Sequence, residues 1–174
     1  MIKGGTGGGN TITGLIYEGK VDLPTYLAKQ PGYTVTGADV YYKDALVAHV
    51  FKKQGFYKFL DEHGVVWSDH ISCRLYPDNC IYVIVNNTLF IIEVKHQHTA
   101  GSVDEKLQTC DFKRKQYKKL LSRLNIEVEY VYILSRWFEN PRYKDVLDYI
   151  ISVNCQYYFG YIPLQKLGLP MPEQ

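Results

Sequence analysis

The chain has 174 residues, 46% of them hydrophobic and 22% charged, the balance of one globular domain and not of a disordered or fibrous chain. Its net charge of +2 excludes a uniformly basic polyanion binder, so any basic patch has to be local. No apolar run reaches the ~18 residues of a membrane span, the amino terminus is glycine-rich where a signal peptide is apolar, and Cys73, Cys80, Cys110 and Cys155 form no C-x-x-C pair, so the expectation is a cytoplasmic protein with reduced thiols and no structural zinc.

The first element is the stretch MIKGGTGGGNTITG. Gly4, Gly9 and Thr11 fit the phosphate-loop pattern G-x-x-x-x-G-K-[ST], but Asn10 stands where the lysine belongs. Only three residues precede Gly4, too few for the strand that would aim the loop's amides at a phosphate. No nucleotide cofactor is therefore expected. Two readings remain: a flexible leader, or a backbone that comes close to a polyanion through its glycine amides and Thr6, Asn10 and Thr11. Thr11 or Thr13 then suits the cap of a helix running to roughly Asp22, interrupted or restarted at Leu23-Pro24.

Residues 33–53 alternate and are rich in Val and Tyr, which predicts short strands or a hairpin with a turn near Lys43-Asp44. QGFYKFLDEHG reads as a short helix stopped by Gly64. Two apolar runs follow, Ile81 to Val85 and Leu89 to Val94, separated by the turn signal Asn86-Asn87. They read as a hairpin of central strands, buried on both faces. In GSVDEKLQTCDFKRKQYKKLLSRL, Ser102 and Glu105 form a capping box, and Val103, Leu107, Cys110, Tyr117, Leu121 and Leu124 make an apolar stripe that Arg114 interrupts. A helix start at Asp111 is the alternative. Glu127 to Leu134 is a strand, Asn140-Pro141 starts a helix, Gln156 to Ile162 is a last strand, and LGLPMPEQ is a tail. Together these predict a single α/β domain over 1–174, a central mixed β-sheet flanked by α-helices.

Charged residues at the ends of buried strands require an explanation. Asp78 opens the first strand of the central hairpin, while Glu93 and Lys95 close the second. A fold at Asn86-Asn87 brings Asp78 back beside Glu93, and the spacing of two puts Glu93 and Lys95 on one face. Paired carboxylates suit a hard cation such as Mg2+, which polarises a phosphoryl group and acidifies bound water. A neighbouring lysine can orient that water and steady developing negative charge. The plainer possibility is a salt bridge at a strand end.

Pro77-Asp78 followed by Glu93-Val94-Lys95 resembles the PD-(D/E)XK nuclease superfamily, and the small chain with VDEKLQTCDFKRKQYKK after the motif looks most like a type II restriction endonuclease. The resemblance implies a restriction-endonuclease-like core in which Asp78 and Glu93 hold Mg2+ and Lys95 assists the attacking water. It also implies a further glutamate from a helix ahead of the sheet, a position that Glu18 matches. The expected activity is sequence-specific hydrolysis of double-stranded DNA, leaving a 5′-phosphate, by a homodimer that brings one active site to each strand. DNA contacts are expected from the opening loop, from Gln97 between His96 and His98, and from the helix face carrying Gln108, Lys115 and Lys119. A metal pair of His96 and His98 fits poorly beside hard-ion chemistry. The rivals are a structure-specific repair or recombination nuclease and a DNA-binding module with a vestigial site.

Overall fold

The computed structural model describes residues 14–16, 22–97 and 103–172. Its core is a seven-stranded mixed sheet with helices packed against it. β1 (Gly14–Ile16) pairs outside this sheet, and α1 (Leu23–Ala28) follows, with the Asp22 carboxylate accepting from the Thr25 amide and Pro24 in the first turn. A meander comes next: β2 (Tyr33–Thr36), β3 (Asp39–Tyr42) and β4 (Ala45–Phe51). Its second turn falls on Lys43-Asp44, both left-handed at φ 47° and 66°, the geometry of a tight hairpin.

α2 (Gly55–Glu62) is followed by the left-handed Gly64 at φ 71°. The central hairpin is β5 (Asn79–Val83) and β6 (Thr88–Lys95), with Asn87 left-handed in its turn at φ 51°. α3 (Val103–Lys106), a 3-10 turn over Leu107–Thr109 and α4 (Cys110–Leu121) cross to β7 (Glu127–Leu134). Asn140 caps a 3-10 turn that leads into α5 (Lys144–Ser152), and β8 (Gln156–Phe159) and β9 (Tyr161–Pro163) close the order.

The strands lie in sequence order from β2 to β8. β2 through β6 are antiparallel, and β7 and β8 run parallel to β6. β6 is therefore the strand at which the sheet changes sense. Its residues Leu89 to Ile92 are buried and feed both faces. Leu89 and Ile91 join the core under α2, α4 and α5, whereas Phe90 and Ile92 join the core under α1 and the carboxy-terminal segment.

Three expectations need correction. Residues 14–16, expected within a helix, form a strand in register with β9, Leu15 opposite Ile162. Gly14 and the β-branched Ile16 have weak helix preference, and the partner that decides the matter lies far along the chain. Helix α1 begins at Leu23, and Glu18, expected on the first helix, lies outside the described residues.

The last strand is two strands, broken at Gly160 with φ 76°. The segment read as a tail is core at its start: Leu167 and Leu169 are buried against the sheet, beside Leu164 just ahead of them. It is also tied down by polar contacts. Tyr33 and Tyr42 donate to the carbonyls of Pro170 and Met171, and the Asn86 amide at the central hairpin turn donates to Leu167 O. Gly168 (φ 74°) lies so close beneath Asn86 that a Cβ would stand 2.4 Å from its Nδ2.

Leu167→Ala is accordingly expected to cost about 2–5 kcal/mol, the range for emptying a fully buried leucine site. Urea unfolding followed by circular dichroism measures it. A loss under about 0.5 kcal/mol, the range of surface substitutions, would show that the segment does not belong to the core.

Candidate active site

The central hairpin sets the geometry. Its ladder pairs Asn79 with Ile92, so Asp78, one residue before, comes level with Glu93. The Val94 amide donates to Asp78 Oδ2 at 3.2 Å, fastening the carboxylate to the strand end. Lys95 Nζ lies 2.7 Å from Glu93 Oε2 and 3.9 Å from Asp78 Oδ2. The two carboxylates thus converge on one ammonium at the carboxyl end of β6.

Two further residues complete the cluster. Lys113 of α4 donates to Glu93 Oε1 at 2.7 Å, and the Tyr130 hydroxyl of β7 donates to the same oxygen at 2.5 Å. Tyr130 pairs with Ile91, two residues before Glu93, so the parallel ladder sets the phenol on the face to which Glu93 points. The motif contains neither residue. Lys113 had the only visible signal, as one lysine in a basic run, and nothing in that run separates an inward lysine from its outward neighbours.

Glu93 is buried, at 5% exposure. Burial alone pushes its carboxyl up, but the Lys113 hydrogen bond, the Lys95 ammonium beside Oε2 and the Tyr130 hydrogen bond outweigh that and hold it below the ordinary glutamate value. It is an anion kept ionised inside the protein. The Tyr130 phenol is pushed up by burial and then by the Glu93 charge, so it stays a donor. Asp78, by contrast, has a half-exposed side chain, and Lys95 and Lys113 are partly covered. The cluster opens to solvent on the Asp78 side, where a hollow of about 250 Å³ is edged by Asp22, Lys52, Lys53 and Asn79.

The other sequence-predicted contacts do not converge here. Gln97 is buried, its amide held by the Ser135 hydroxyl at 3.3 Å, so it presents little surface to a duplex. Gln108 belongs to the 3-10 turn, not to α4, and edges a separate hollow of about 550 Å³ with Arg142, Tyr143 and Tyr149. The helical spacing that aligned it with Lys115 and Lys119 is broken at this turn. Lys115 pairs with Asp111 at 2.7 Å. At about 100° per residue, Lys115 lies roughly 200° around α4 from Lys113, facing away from Glu93, and Lys119 follows it on that side. Thr6, Asn10, Thr11 and Ser102 lie outside the described residues, as do His98 and Glu18.

The donor set suits a hard cation. Asp78 and Glu93 offer carboxylate oxygens only, and among the described residues no group of three or more His, Cys, Asp or Glu side chains forms a softer or fuller cage. Mg2+ is commonly held by one or two carboxylates together with waters and substrate phosphate, so two carboxylates are enough. No family model, no curated protein and no solved structure matches the chain. No helix among the described residues is long and apolar enough to cross a membrane.

Because the folded-state pKa of Glu93 lies below its ordinary 4.5, its stabilising contribution is fully present above that value and is lost as pH falls through the folded value. Glu93→Gln removes this dependence. The difference in unfolding free energy between wild type and variant should be on the order of 1–3 kcal/mol at neutral pH and shrink steadily below about pH 4.5. Urea titrations across that range read it. A difference that stays constant with pH would show that Glu93 is not held as the ionised partner of these donors.

Proposed function

We propose that this chain is a Mg2+-dependent endodeoxyribonuclease that hydrolyses phosphodiester bonds in double-stranded DNA, built on a restriction-endonuclease-like core and acting at specific sequences. One observation carries the reading: Asp78 meets Glu93 and Lys95, fifteen and seventeen residues further on, at the solvent-facing end of a central strand, with the glutamate kept ionised. A salt bridge made only for stability would not need a second carboxylate aimed at the same ammonium, and burying charge for stability alone is a poor bargain.

In this reading Asp78 and Glu93 hold the cation, which when bound polarises the phosphoryl oxygen and acidifies a water. Glu93 is set at a fixed depth by Tyr130. Lys95, on the same strand face, holds the attacking water and balances charge that develops on the phosphate. Asp78, half exposed, is the ligand at the open side of the site. Cutting both strands calls for two such sites, which a homodimer supplies.

The test is digestion of phage-sized duplex DNA with Mg2+, followed by end mapping. Discrete fragments with 5′-phosphates are expected. Glu93→Ala should lower the cleavage rate by about 10²–10³-fold or more, with DNA binding by fluorescence anisotropy retained, since the change removes negative charge as well as a ligand. Lys95→Ala should lose cleavage to a similar degree while keeping affinity for the metal. Intact phage DNA after long incubation with the wild-type protein across a wide Mg2+ range would sink the reading.

A further inference from the structure

Lys113 has no part in the hydrolysis outlined above, yet it makes one of the shortest polar contacts in the cluster. It approaches Glu93 Oε1 while Lys95 approaches Oε2, so both oxygens of the buried carboxylate are covered by ammoniums. With Asp78 3.9 Å from Lys95, two positive charges match two negative ones, and the cluster is neutral as it stands. A divalent cation entering a neutral cluster brings two more positive charges close to two ammoniums. At such distances that repulsion is large in a partly buried site. Either an ammonium withdraws or an anion enters with the metal.

The two lysines are not equally placed to withdraw. Lys95 sits between both carboxylates on β6, with its side chain 18% exposed. Among the described residues, Lys113 pairs with one carboxylate, Glu93, from the flank of α4, with its side chain 30% exposed and solvent within reach. If Lys113 leaves, Tyr130 still donates to Oε1, so Glu93 keeps its orientation. The substrate supplies the missing anion, because each phosphodiester carries one negative charge.

We infer that Lys113 is a positioning residue that occupies the cation's seat on Glu93 in the empty site and yields it when a substrate phosphate arrives, so that metal loading and DNA binding are coupled. The inference rests on the nuclease reading. The coupling is reciprocal: DNA raises metal affinity by the factor by which metal raises DNA affinity.

The experiment is titration of the whole protein with Mn2+, an oxygen-preferring ion whose free concentration is read by electron paramagnetic resonance. It is run with and without a phosphorothioate duplex carrying the mapped cleavage site. Wild type should bind Mn2+ at least about tenfold more tightly with the duplex present. Lys113→Met should bind Mn2+ at least about tenfold more tightly than wild type in the absence of DNA, and gain little when DNA is added. Lys113→Arg, which keeps the charge, should behave as wild type, and so should Lys118→Met, an exposed lysine of the same helix. If the methionine variant does not fold, Lys113→Gln replaces it with the same expectation. A lysine that only braced the fold would lower the melting temperature and leave DNA-free metal affinity unchanged, and that result overturns the inference while wild type still cleaves. A wild type that neither cleaves DNA nor binds Mn2+ in its presence overturns the nuclease reading, and this inference with it.

Discussion

A single buried carboxylate ties together parts of the chain that are far apart. Glu93 stands at the end of the strand where the antiparallel half of the sheet meets the parallel half. Burying its charge without partners would cost several kcal/mol, so the partners have to be delivered by the fold. β6 brings Lys95, α4 brings Lys113, β7 brings Tyr130, and β5 sets Asp78 opposite. None of these placements is free to vary by one residue. A slip in the β5–β6 register would turn Asp78 to the other face, and a quarter turn of α4 would withdraw Lys113. The carboxylate therefore needs the architecture, and an incorrectly assembled sheet would leave it unpaired.

The same logic accounts for the tyrosines. Sixteen are more than a core requires, because a phenol buried for its area also brings a hydroxyl that needs a partner. Here the hydroxyls are used as fasteners. Tyr57 binds both the carbonyl and the amide of Leu75, fixing the loop that leads into Pro77-Asp78. Tyr132 donates to Lys106 O at the start of the α4 crossover. Tyr33 and Tyr42 hold the carboxy-terminal segment, and Tyr130 holds Glu93. Each ring packs in or against the core, and each polar tip fastens a neighbouring segment or, for Tyr130, the buried carboxylate.

What was legible in the sequence follows from this division. The central hairpin, its turn and the convergence of Asp78, Glu93 and Lys95 depend on local register, and local register is written in the spacing of apolar runs around Asn86-Asn87. The strand Glu127–Leu134 and the turn at Lys43-Asp44 are local in the same sense. The strand at Gly14–Ile16 and the burial of Leu167 and Leu169 depend on partners more than eighty residues away, which periodicity cannot report. Arg114, which broke the apolar stripe, is accommodated half-buried because its Nε donates to Val128 O. Lys113 and Tyr130 were hidden for a different reason. Composition shows that a helix is basic, but the inward lysine is identified only once the rotation of α4 against β6 is known.

That rotation also separates the two kinds of charge on α4. Lys113 is consumed inside, against Glu93, while Lys115 and Lys119 lie on the opposite flank. Because the inner cluster cancels to neutrality, it exerts little long-range pull on a polyanion. Exposed cations elsewhere have to provide any attraction to a phosphate backbone, and the small net charge of the chain means that they do so as local patches. The hollow beside Asp78 is bordered by Lys52 and Lys53, whereas the Lys115 flank lies across the helix from it. Asp78 itself lines that hollow, which places the hollow at the exposed end of the carboxylate cluster. The exposed Asp78 and the buried Glu93 thus share the Lys95 ammonium, and Lys113 covers the inner oxygen of Glu93, so the charge that the sheet buries is cancelled where it is buried.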